Sequence, residues 1–180
     1  MALVTVGLAD PAEREGTRMR RYSVVLSVLA AIVAGCSGPA GAGQAELQKQ
    51  ADLYAIEQIE ATWHKAASTH DVDLMMTLWA DNATFTIGTR QLTGKEQIRA
   101  FFATEAAPFK AENNWISETP AYKIRTTVDG DKGTLYFECH YVDVPTRTVK
   151  AVVGSDQDVE RINGHWLITD SVAATPEFVP

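Results

Sequence analysis

The feature that most constrains this chain is a change of hydrophobic period near its middle. From Gln44 to Thr104 apolar residues recur every three or four positions, and from Trp115 to Ala173 they alternate. Helices followed by long alternating strands are expected to fold as an α+β layer, with the helices packed on one face of a sheet.

The helical half divides into three. Gln44 to Ser68 carries Leu47, Ala51, Tyr54, Ile56, Ile59, Trp63 and Ala66–Ala67 at helical spacing. His70–Asp71 breaks it, and Asp71 is placed to cap a second helix, Val72 to Ala80, that buries Leu74, Met75, Leu78 and Trp79. Ala83 to Gly88 alternates and reads as a strand. Thr93 is an expected N-cap for a third helix, Gly94 to Thr104, with Glu96 at the capping-box spacing and Ile98, Phe101 and Phe102 inward. Four strands are expected beyond it: Trp115 to Val128, Lys132 to Val144, Val149 to Ile162 and Trp166 to Ala173. Asp129–Gly130 and Asn163–Gly164 are tight-turn signals, and Asn–Gly favours a type I′ hairpin.

Upstream of all this lies an export segment. Arg18, Arg20 and Arg21 form a positive region, and the apolar run Tyr22 to Ala34 follows. That run falls short of the ~20 residues a permanent span needs, but suits the core of a signal peptide. It ends in Val33-Ala34-Gly35-Cys36, which resembles the bacterial lipobox: small residues that admit a peptidase, then a thiol that takes a diacylglyceryl group. Residues 1–36 are therefore read as the export segment, with Cys36 lipidated and the chain held on the extracytoplasmic face of a bacterial membrane. Asp10, Glu13 and Glu15 are out of place ahead of a positive region, which points to Met19 as the translation start. Residues 37–45 are read as a flexible tether and 46–180 as one domain.

Composition narrows the partners. From Cys36 onward there are 12 Lys and Arg against 20 Asp and Glu. Nucleic acid is not expected, because a basic surface supplies most of that affinity. With Cys36 lipidated, Cys139 has no partner and reads as a buried thiol. His64 and His70 lie six apart, off the i, i+4 spacing of helical metal ligands, so no metal and no cofactor is expected.

The stretches TWHKAASTHDVDLMMTLWADNATFTIG, LTGKEQIRAFF and DVERINGHWLI resemble the nuclear transport factor 2-like superfamily, in its SnoaL-like and ketosteroid-isomerase-like branches. The resemblance covers about residues 47–175. It implies a cone-shaped roll: a curved antiparallel sheet wrapped around three N-terminal helices, enclosing a mostly apolar pocket. It also implies that the open sheet face can pair two copies. Ketosteroid isomerisation needs a carboxylate base and an oxyanion hole built from a Tyr and a protonated Asp. Aligned without gaps, the base falls at Ile87 and the Tyr at Trp63, while Asp158 matches the third position. Ile87 cannot take a proton and Trp63 can donate only one hydrogen bond, so that reaction is not expected.

The resemblance places Trp63, Phe85, Ile87, Phe102 and Asp158 around the pocket. Two functions stay open at this point. The domain binds a small apolar ligand in the cone, or a protein over it; or it is a SnoaL-like enzyme, an isomerase, dehydratase or hydrolase, working by acid–base chemistry with Asp158 and His140 as the pair. The pattern Leu135, Phe137, Cys139, Tyr141 puts His140 on the opposite strand face.

Overall fold

The computed structural model describes residues 40–176, so Cys36, the rest of the export segment and the first residues of the tether lie outside the described part. The elements are α1 (Ala40–Thr69), α2 (Val72–Met76), β1 (Trp79–Ile87), β2 (Arg90–Thr93), α3 (Lys95–Thr104), β3 (Trp115–Glu118), β4 (Arg125–Asp129), β5 (Lys132–Asp143), β6 (Thr148–Ile162) and β7 (His165–Ala174). Helix α1 begins at Ala40, so part of the stretch read as tether is helical.

The buried positions of α1 are Asp52, Ile56, Ile59, Trp63, His64, Ala66 and Ala67. Leu47 and Tyr54, expected inside, are 73% and 65% exposed, and residues 43–51 are exposed throughout. The helix stops where His70 turns left-handed at φ 55°. Asp71 then accepts from the Leu74 N–H at 2.8 Å and caps α2.

Helix α2 ends at Met76 and not at Ala80. Trp79 leaves the helical pattern because it pairs with Ile168, the first rung of a parallel ladder that runs to Ile87 and Ala173. This distant pairing overrides the local helical spacing. Thr93 is not the cap of α3 either. It is drawn into β2 opposite Thr84, and Gly94 takes the cap position at φ 84°. Gln97 still reaches back, accepting from the Thr93 N–H at 3.1 Å.

The sheet runs β2-β1-β7-β6-β5-β3, with β4 also on β5. It is mixed rather than wholly antiparallel, because β1 and β7 are parallel. The expected long strand from Trp115 to Val128 splits in two. Its first part pairs His140 to Asp143, its second Lys132 to Tyr136, and the chain leaves the ladder between them at Pro120. At the β6–β7 turn, Asn163 and Gly164 have φ 52° and 82°, as a type I′ hairpin requires.

The helices cover the inner sheet face. Leu135, Phe137, Cys139 and Tyr141 of β5 point inward, as do Ser155, Gln157 and Val159 of β6. Gly133 permits the closest approach: a Cβ there would stand 2.6 Å from the Thr127 carbonyl oxygen and 2.8 Å from a methyl of Ile56. Fully buried Trp79, Phe137 and Ile56 each contribute about 1.5–3 kcal/mol of transfer free energy to this core.

Candidate functional site

Between α3, the inner ends of β5 and β6, and the segment Ala106–Phe109 lies a cavity of about 220 Å³. Trp63, Phe85, Ile87 and Phe102 all line it. Their aromatic rings interlock: Phe102 stands edge-on to Trp63 at 5.6 Å between centroids and stacks on Phe85 at 5.8 Å. Such packing fixes the wall shape. Ile87 keeps the wall apolar at its own position.

One end of the cavity is polar. Tyr141 and Cys139 line it together with Trp63, whose buried indole N–H has no hydrogen-bond partner. Burial pushes the Cys139 thiol up to about 12 and holds the Tyr141 hydroxyl well above its ordinary range. Both groups therefore stay protonated at neutral pH. Ser155, also on the wall, accepts from the Gln157 side chain at 3.0 Å, and Gln157 Oε1 is left without a partner. A ligand presenting an oxygen to this end would meet the one unused donor of Trp63.

Asp158 is not part of this cavity. It is exposed on the outer sheet face, opposite Thr134 and Asp170. The cause is strand alternation: Gln157 and Val159 take the inward positions, and an extra residue, Thr169, is accommodated in β7 between the partners of Asp158 and Val159. His140 faces outward too. It lies six residues along β5 from Thr134, the partner of Asp158, which is roughly 20 Å at a strand rise of about 3.4 Å per residue. The two residues read as an acid–base pair are not brought together.

His140 instead joins a buried charge cluster. Lys123 donates to Glu138 at 3.0 Å, Tyr136 donates to the same carboxylate oxygen at 2.9 Å, and His140 Nε2 stands 3.3 Å from the other. Burial alone would raise the Glu138 carboxyl, but these three hydrogen bonds hold it below the usual carboxylate range. The excursion from Thr119 to Ile124 covers this cluster, and it sits on the face of β5 away from the cavity.

A second cluster, unforeseen in the sequence, flanks the polar end. His64 of α1 is buried; its Nδ1 is 2.6 Å from Ser117 Oγ, and its Nε2 is 3.0 Å from Glu60 and 2.5 Å from Thr119 Oγ1. Glu60 and His64 are an i, i+4 pair, the one sequence signal that could have linked them. Their meeting with Ser117 depends on where β3 lands.

This architecture is shared with known structures. An NTF2-like protein with a cystatin-like fold from Novosphingobium aromaticivorans superposes with TM-score 0.67 at 16% identity, covering 81% of this chain and 94% of that one. An NTF2-like protein from Pseudomonas putida gives 0.62 at 14% identity, covering 72% and 90%. A protein from Streptomyces avermitilis, provisionally named a dehydratase of the NTF2-like family, gives 0.57 at 15%, covering 72% and 99%. At such identities the likeness is one of fold. No curated protein matches the sequence. The class is thus the NTF2-like cone. Within it, residues 60–166 match the SnoaL-like domain, and the chain belongs to that family.

Proposed function

We propose that this protein is an exported lipoprotein, held on the extracytoplasmic face of a bacterial membrane through Cys36, whose SnoaL-like domain binds a small, mostly apolar ligand in its cavity. The observation that carries the ligand reading is the wall itself: Trp63, Phe85, Ile87 and Phe102 enclose about 220 Å³, with a single unpartnered indole N–H at one end. An apolar body with one oxygen acceptor satisfies both features. A larger groove of about 750 Å³ runs along the middle of α1 and is open, with Ile59, Leu78, Trp79 and Trp166 lining it beside Lys95, Asp81, Asn163 and His165.

The anchor rests on the sequence Val33-Ala34-Gly35-Cys36 behind a basic and then apolar run. A lipid group with several acyl chains holds a domain firmly, where one myristoyl chain does not.

Native mass spectrometry of the chain purified from its own host tests the ligand reading. A retained small apolar molecule is expected, and a consistently empty domain would overturn it. Cys36→Ser tests the anchor independently: the chain is expected to leave the membrane fraction, and unchanged membrane retention would refute lipidation at Cys36.

A further inference from the structure

The groove along α1, at about 750 Å³, falls within the roughly 300–1,000 Å³ of ligand clefts. Helix α1 supplies Tyr54, Ala55, Gln58, Ile59 and Thr62, spaced by three and four and so on one face. From Tyr54 to Thr62 that face runs about 12 Å. The other bank is the β6–β7 hairpin, closed by Asn163–Gly164, with Ile162, Trp166 and Leu167 along it. Leu78 and Trp79, where α2 gives way to β1, complete a mostly apolar wall. Covering such a wall with hydrocarbon releases the water on it.

Two donors meet at one end of this wall. Trp79 is fully buried, its ring against Trp63 at 5.8 Å and Phe85 at 5.3 Å between centroids. Its indole N–H has no hydrogen-bond partner among the described residues. Trp79 borders the groove and not the cavity behind Trp63. A buried N–H left unpaired costs free energy that an incoming acceptor recovers. The second donor is Lys95, the one Lys or Arg among the residues that line the groove. It reaches toward Asp81, two residues on from Trp79, but the two stand 3.7 Å apart and the Asp81 side chain is 99% exposed. A pair that long, with one partner wholly in water, contributes little. The Lys95 ammonium is therefore available to another anion. Asn163 and His165 at the rim are exposed to water.

We propose that this groove is a second binding site, separate from the cavity, and that it takes a single-chain fatty acid. The hydrocarbon chain lies between α1 and the β6–β7 hairpin, on Ile59, Leu78, Trp166 and Leu167. The carboxylate takes the place of Asp81 beside Lys95 and accepts from the Trp79 indole N–H. Hydrogen bonds from an ammonium to a carboxylate are stronger than neutral ones, so an acid is preferred to an alcohol of the same length. The proposal does not depend on what the cavity holds.

Sodium decanoate below its micelle concentration is the probe, and decan-1-ol is the neutral comparison. Both are titrated into the full chain, with affinity read by calorimetry and location by the indole N–H resonances of Trp79 and Trp63. Decanoate is expected to bind saturably, to move the Trp79 resonance and to leave that of Trp63 in place. Lys95→Met keeps the stem and removes the charge; it is expected to weaken decanoate about tenfold and leave decan-1-ol unchanged. Asp81→Asn removes the competing carboxylate and is expected to tighten decanoate about twofold. Gln58→Trp, at an exposed position of α1, fills the groove and is expected to abolish binding of both probes. None of the three positions belongs to the buried core, so the fold is kept. Equal decanoate affinity in the wild type and Lys95→Met, binding that survives Gln58→Trp, a shift at Trp63 in place of Trp79, or no saturable binding would each overturn the groove site. All four results leave the cavity reading standing.

Discussion

The ammonium of Lys123 stands 3.0 Å from a carboxylate oxygen of Glu138, both side chains buried, on the face of β5 that looks away from the cavity. A buried charge is tolerated only while its partner remains. Glu138→Ala removes the buried carboxylate that Lys123, Tyr136 and His140 share and is expected to cost about 3–5 kcal/mol. The pH dependence follows from the depressed carboxyl of Glu138. A carboxylate held below its unfolded value contributes stability that is present above that value and is lost as pH falls through the folded one. Asp52, held down by the hydrogen bond from Arg161 at 2.6 Å, acts in the same direction. Thermal melts should therefore be flat near neutrality and fall progressively below about pH 4.5. In Glu138→Gln that acid limb is expected to flatten.

Phe102 touches Trp63, Phe85 and Phe109 at once, with centroids 5.6, 5.8 and 5.2 Å away. Its truncation removes one cavity wall and a large share of buried apolar area. Phe102→Ala is expected to destabilise the domain by about 3–5 kcal/mol, read from the denaturant midpoint at an unchanged slope.

Asp158 gives the opposite expectation. It is exposed and lies on the other side of the sheet from the cavity. Asp158→Asn should change stability by no more than about 0.5 kcal/mol and leave ligand affinity unchanged. A clear loss of binding in that variant would show that the ligand sits somewhere other than the cavity behind Trp63.

These contrasts show where the sequence was readable. The turn residues were decisive: Asn163–Gly164 dictated a two-residue hairpin and therefore the β6–β7 register. Asp71 as a cap and the inward set Leu135, Phe137, Cys139, Tyr141 followed from local chemistry and period two. The family resemblance carried Trp63, Phe85, Ile87 and Phe102 to the cavity. What stayed hidden depends on distant contacts. Trp79 pairs with Ile168 across the fold, which turns an apparent helix end into a strand. On β6 the polar Ser155 and Gln157 point in, and in β7 Val172 points out, so polarity alone does not mark the inner face. The extra residue at Thr169 shifts the inward set of β7 from Ile168 to Ser171. The Glu60–His64–Ser117 line needed β3 to land beside α1, and nothing local in WISE announces that.

The most direct test is calorimetric titration of acetophenone, an apolar ring with one carbonyl acceptor, into the wild-type protein and Trp63→Phe. Wild type is expected to bind saturably at one site. Trp63→Phe keeps an aromatic wall but removes the unpartnered N–H, so affinity is expected to drop about fivefold, the loss of roughly 1 kcal/mol for one hydrogen bond. Equal affinity in the two proteins, or no saturable binding to the wild type, would contradict a ligand site built on this apolar wall and the Trp63 donor.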